Sequence, residues 1–219
     1  MSWLVPGAHV PTSFPGMSHS PPRHSLHRRL YDCEAFEEGP DRMRVVGRLT
    51  ATKPLGLGLA DGEPMVLHDM PIELVVEMPS FTIVDVEATM HVRPYETCPA
   101  VLADYRQLIG RSVTRGYSRV VRELFGGASG CSHLGALLQA LGPVAVQASW
   151  GLMTLHEPPG ATLNTVDESE RLRRLQMNAN TCHVWAEGGE HYKRVQIGDT
   201  TGRPEWMQDR LRKLGVDPA

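Results

Sequence analysis

The chain has 219 residues, enough for one sizeable core or at most two small ones, and its 41% hydrophobic and 21% charged content is that of an ordinary globular protein rather than a disordered or fibrous one. A formal net charge of −3, from 22 basic and 25 acidic residues, leaves no positive surplus for gripping a phosphate backbone, so nucleic acid is not expected as a partner. No uninterrupted apolar run reaches the roughly 18 to 20 residues of a bilayer span, and the N-terminus lacks a cationic start followed by an apolar core, so a cytoplasmic protein without membrane attachment is expected.

Residues 1–27 hold Pro6, Pro11, Pro15, Pro21 and Pro22 among Ser, Gly and His and cannot supply a periodic buried face, which predicts a flexible leader. Its histidines, His9, His19, His24 and His27, have no regular spacing and are set aside from the site. Met43 to Thr52 carries Val45, Val46, Leu49 and Thr50 and predicts a strand, broken by Lys53-Pro54-Leu55-Gly56-Leu57-Gly58. That loop is not a phosphate cradle, because no Lys-Ser/Thr follows its last glycine.

From Pro64 to Arg93 the pattern is strictly alternating. Met70, Ile72, Leu74 and Val76 alternate with Asp69, Glu73 and Glu77; after a turn at Met78-Pro79-Ser80, Val84, Val86, Ala88, Met90 and Val92 do the same. This predicts a long antiparallel hairpin with one apolar face, in whose register His68 falls near Met90. Helical spacing follows at Val101, Leu102, Tyr105, Leu108 and Ile109, then over Tyr117–Phe125, then from Ser132 through Leu134, Leu137, Leu138 and Leu141 to a break at Gly142-Pro143. A continuation at a new angle over Val144–Met153, a loop at His156–Gly160, and a helix capped by Asp167 or Ser169 and running toward Trp185 complete the chain, with a polar tail over 206–219. The fold class expected is α+β, an antiparallel hairpin or sheet packed against several helices, as a single domain over 28–205.

Three places can carry chemistry. Alternation puts His68 on the core-facing side with Met70 and Ile72, where an imidazole needs a partner from a packed helix; a single backbone carbonyl would satisfy it equally. Asp69 points to the opposite face as a solvated or turn-capping carboxylate, so the adjacent pair is no dyad unless a bulge rotates one of the two. Gly130-Cys131-Ser132-His133-Leu134 opens a helix whose N-terminus offers unpaired N–H groups and partial positive charge, with Cys131 and His133 on opposite flanks of the leucine stripe; a core cysteine with a capping serine is the plain alternative. Pro94-Tyr95-Glu96-Thr97-Cys98-Pro99 stands at a strand end, where Tyr95 can donate a proton and Cys98 can ligate a metal, or both can simply pack. Cys182-His183 and Glu190-His191-Tyr192 have no metal-ligand spacing. All four cysteines, Cys33, Cys98, Cys131 and Cys182, are far apart in sequence and are expected as reduced thiols.

Leu67-His68-Asp69-Met70 on a strand, Asp85-Val86 before Pro94-Tyr95-Glu96-Thr97-Cys98, and Gly126-Gly127 before Gly130-Cys131-Ser132-His133-Leu134 together resemble the bacterial domain-of-unknown-function family DUF 2889, over roughly residues 27 to 150. The cysteine and histidine two apart, followed by Leu134-Gly135-Ala136-Leu137-Leu138, are the most specific part. Arg28, Arg29 and the segment through Thr52 are similar to the family's N-terminal strands, and Ala51-Thr52-Lys53 departs in lacking an aspartate. The resemblance brings no reaction with it.

Three functions stay open at this point. One is an enzyme acting on a small, largely apolar molecule by acid–base chemistry, with His68 and His133 as the proton-transfer pair and Tyr95 orienting the substrate, and with no cofactor. Another is a zinc hydrolase with ligands drawn from His68, His133, Cys131 and Cys98. The last is a non-catalytic module whose hairpin builds a ligand cavity or a homodimer face.

Overall fold

A computed structural model of the chain describes residues 24–56, 63–155, 167–199 and 204–215. The leader up to residue 23, the end of the loop at Leu57-Gly58 and the loop at His156–Gly160 lie outside the described residues. The chain divides into two compact units, Met1–Ala148 and Ser149–Ala219. The sequence reading had drawn one domain over 28–205.

The first unit is α+β. Strands β1 (Arg28–Glu37), β2 (Arg42–Lys53), β3 (Met65–Glu77) and β4 (Thr82–Ala88) form an antiparallel sheet in the order β1-β2-β3-β4. The expected hairpin is β3–β4, and β1 and β2 extend it by the same period-two logic. Met43, Val45, Leu49 and Ala51 face Val76, Leu74, Met70 and His68 across the ladder, and every apolar member of these pairs is at most 1% exposed. The other face carries a matched set of charges, in which Arg42 meets Glu77, Arg44 meets Glu38 and Glu73, and Arg48 meets Asp69.

Two bulges change the expected register. On β3 Leu67 is the extra residue, since Ala51 pairs with His68 and Thr52 with Val66; on β4 Val84 is extra, since Val75 pairs with Asp85 and Val76 with Ile83. A symmetric count back from the turn omits this second insertion. Asp69 bridges Val92, so His68 does not stand opposite Met90 as the sequence suggested.

Beyond the sheet, Cys98–Leu108 forms a 3₁₀ run where an α-helix was expected, with Pro99 in its first turn and with Tyr105 and Leu108 fully buried. The chain then returns beside β4, where Gly110 N–H donates to Ile83 C=O at 2.8 Å and Val113 N–H to Phe81 C=O at 2.9 Å. Helix α1 covers Tyr117–Phe125 as expected.

Helix α2 runs unbroken from Ser132 to Leu155, through Gly142 and Pro143, where a break was expected. Proline removes one backbone hydrogen bond but does not end a helix whose apolar face is already committed to a core. Gly142 serves packing instead: a Cβ there would lie 3.1 Å from the Tyr117 ring of α1. At 24 residues and with an 18-residue window of mean hydropathy 1.2, α2 is long and apolar enough to cross a membrane by length and composition alone, a test that the core helix of a soluble protein also passes. In its first half Leu134, Leu137, Leu138 and Leu141 are fully buried.

In the second unit, α3 (Glu168–Asn178) is capped by Asp167, whose carboxylate accepts from Glu170 N–H at 2.9 Å. It ends at Asn178 rather than near Trp185, because Ala179 turns extended and Asn180 adopts φ 59°. Arg174 lies over the Trp150 ring, 5.8 Å from its centroid. Helix α4 (Glu190–Gln196) follows Gly188-Gly189, and the polar tail expected over 206–219 carries helix α5 (Glu205–Lys213).

The sheet meets α2 at Gly47, where a Cβ would approach Leu141 Cδ2 to 2.8 Å and Leu137 Cδ1 to 3.0 Å. Gly47→Val overfills this contact and is expected to lower unfolding free energy by about 1–3 kcal/mol. Urea denaturation checks this; an unchanged midpoint would mean that helix and sheet are further apart than described.

Candidate functional site

The site is assembled where the end of the core-facing row of β3 meets the start of α2. Gly130 is required locally. Its backbone is extended, and a Cβ would lie 2.6 Å from Phe125 O and 2.9 Å from Phe125 Cα, so only glycine lets the chain pass the end of α1. The next residue is then fixed from both sides: Cys131 N–H donates to the Tyr105 hydroxyl at 3.1 Å, and Cys131 C=O accepts Gly135 N–H at 2.8 Å, the first hydrogen bond of α2. Tyr105 is itself held by its ring contact with Phe125, centroid to centroid 4.5 Å.

This anchoring sends His133 onto His68. The two imidazoles stack with centroids 3.8 Å apart and planes inclined by 26°. His68 Nδ1 is buried and has no hydrogen-bond partner, the one ring nitrogen of the pair in that condition among the described residues. Cys131 Sγ lies 3.8 Å from His133 Nδ1. The expected placement of Cys131 and His133 on opposite flanks of α2 does not hold, because Cys131 precedes the first helical turn and helical angular spacing does not apply to it.

Both imidazoles are biased toward the neutral form. Burial lowers the pKa of His133 from 6.5 to about 4, with further lowering by the charges of His68, Arg29 and His27. His68 is also lowered, first by burial and then by Arg29 and His27. Neither imidazole has a carboxylate among the groups acting on it. Asp69, next in sequence, is turned away into a bidentate pair with Arg48 at 2.6 and 2.5 Å, which holds its carboxyl below the usual range. Tyr105 is pushed up to about 12 by burial, so it is a neutral hydroxyl.

Of the residues singled out from the sequence, His68, His133 and Cys131 come together. Tyr95 is 71% exposed, and no hydrogen bond or ring contact joins it to the pair. Cys98 is half-buried at the start of the 3₁₀ run, its N–H donating to Tyr95 C=O at 3.2 Å. No three His, Cys, Asp or Glu side chains among the described residues are disposed to hold one metal ion. Imidazole lone pairs lie in the ring plane, so two near-parallel rings stacked face to face do not aim them at a common point. In the second unit Trp185 packs edge-on to His191 at 4.6 Å, beside an open hollow of about 410 Å³ lined in part by His183 and Arg194.

Sequence reasoning missed Arg29, Tyr105 and His27. Tyr105 stood out only for its helical spacing with Leu102 and Leu108, but its hydroxyl becomes the acceptor that fixes the start of α2. His27 was set aside with the leader, yet its charge acts on both histidines. A lone Arg29 carried no signal until the pairing of β1 was known.

Folding holds His133 neutral, so its contribution to stability is fully present above the unfolded value of 6.5 and is lost as pH falls toward about 4; the lowered pKa of His68 acts in the same direction. Denaturation midpoints should therefore decline over that window in the wild type and decline less in His133→Phe. By NMR, His133 should titrate near 4, and in His68→Gln its midpoint should rise without reaching 6.5, because burial is the larger cause. A midpoint of 6.5 in the wild type would contradict the described burial.

A family model described as "Protein of unknown function (DUF2889)" matches residues 27–147, a span that holds the sheet, α1, both histidines, Cys131 and Arg29. No curated protein and no solved structure matches the chain. Since the match covers more than half of its length and includes the histidine stack, the chain belongs to the DUF2889 family.

Proposed function

We propose that the chain is an enzyme that moves protons on a small organic molecule, with the His68–His133 stack as its acid–base group. The observation that carries this reading is the face-to-face contact of two imidazoles whose surroundings keep both neutral. A neutral imidazole offers one ring nitrogen as a proton acceptor. Protonating one ring of a stack at 3.8 Å disfavours protonating the other, so the pair accepts one proton at a time and can return it from the same place. Lyase, isomerase and hydrolase chemistry all use such a step. Tyr95 has no part in this reading because it stands exposed.

A second reading has its own observation, the 3.8 Å approach of Cys131 Sγ to His133 Nδ1. In it Cys131 is a thiol nucleophile whose proton passes to His133. Cys131→Ala separates the two, since it leaves proton transfer by the stack intact and abolishes covalent catalysis.

The test is a panel of small ketones, esters and carboxylic acids incubated with the protein in D₂O, with exchange at carbon and product formation followed by proton NMR. At least one compound is expected to be turned over, with a loss of about 100-fold or more in His68→Gln and in His133→Gln while both remain folded. Undiminished turnover in both variants, or no turnover of any compound by the wild type, would contradict the proposal.

A further inference from the structure

Arg29 lies in the same cross-strand row as His68. The register pairs Arg29 with Ala51 and Ala51 with His68, and directly opposed residues of an antiparallel sheet share a face. The row belongs to the face that carries Val45, Gly47 and Leu49 toward α2. Arg29 and His68 are separated at the backbone by two strand spacings of about 4.8 Å each, and the side chain between them is a single methyl group, so an extended arginine side chain is long enough to span the distance over Ala51 to the imidazoles. Its charge is felt at both His68 and His133.

Arg29 is also unmatched. Among the described residues its side chain makes one hydrogen bond, a long contact to the Tyr31 hydroxyl at 3.5 Å, and no carboxylate pairs with it. The contrast with the opposite face is informative, because Arg42, Arg44 and Arg48 each meet a carboxylate there. The groups that act on the stack are Arg29 and His27 from the first strand and its approach, His68 from β3, and His133 from α2, every one cationic or neutral. The row is a patch of positive potential beside two proton-accepting rings, within a chain whose net charge is negative.

We infer that the site takes a substrate bearing an oxyanion, a carboxylate or a phosphate, held by Arg29 so that the rest of the molecule lies against the His68–His133 stack. Guanidinium suits this role because its paired N–H groups match two oxygens of one anion. This rests on the acid–base reading for the chemistry that follows binding but not for the binding itself.

The experiment follows the imidazole resonances of the full chain by NMR at pH 7.5 and constant ionic strength, with inorganic phosphate in one titration and benzoate in the other. Saturable shifts of the His68 and His133 signals are expected with at least one of the two, which also tells a phosphate substrate from a carboxylate. Arg29→Gln should weaken that binding by about tenfold or more. Arg28→Gln, on the other face of the same strand opposite Thr52, should leave it unchanged. No saturable shift with either anion, or equal affinity in Arg29→Gln and wild type, would overturn the inference. Binding that depends on Arg29 together with full turnover in the histidine variants would overturn the acid–base reading alone.

Discussion

The close approach of α2 to the sheet at Gly47 is the constraint on which the rest of the first unit depends. A sheet and a helix normally pack with side chains from both sides filling the space between them. Here β2 offers no side chain at its centre, and Leu137 and Leu141 descend into the gap. That contact sets the height of α2 above β3, and the height decides whether a ring at the first turn of the helix can lie flat on a ring at the end of the strand. Leu134 and Leu138, fully buried on the same stripe, fix the rotation of the helix about its axis.

The site is consequently built from rigid parts. His68 is carried by the middle strands of a bulged but continuous sheet, and His133 by a helix whose first turn is tied to the Tyr105 hydroxyl. Rigid support of this kind suits proton transfer, which needs ring nitrogens held within hydrogen-bond reach of a substrate. The same assembly explains why no carboxylate orients either ring. Asp69, the nearest in sequence, is committed to Arg48 on the far face, so the stack is neutral through burial and through nearby positive charge.

Much of this was legible in the sequence and some was not. Period-two alternation identified β3, β4 and the core side of His68, and the leucine spacing identified the buried stripe of α2, because both signals come from burial on one face. The pairing of β1 with β2 was not legible, since β1 is an edge strand whose side chains are mostly exposed and show no alternation. Arg29 was therefore invisible as a site residue even though it stands two strands from His68. The continuity of α2 through Gly142-Pro143 was missed for a different reason: local propensity argues for a break, and tertiary packing of Tyr117 and the leucine stripe overrides it. The insertion of Val84 lay below the resolution of any pattern count.

The central claim, that two neutral and reachable imidazoles form one functional unit, is most directly tested by reaction with diethyl pyrocarbonate at pH 5.5, with the modified positions located by mass spectrometry. The reagent attacks unprotonated imidazole. Of the chain's ten histidines, an ordinary one with a pKa near 6.5 is mostly protonated at that pH, whereas His133, at about 4, is not. The expected result is that His133 is modified ahead of the chain's other histidines. Modification of His133 no faster than that of the exposed His183 would contradict the account.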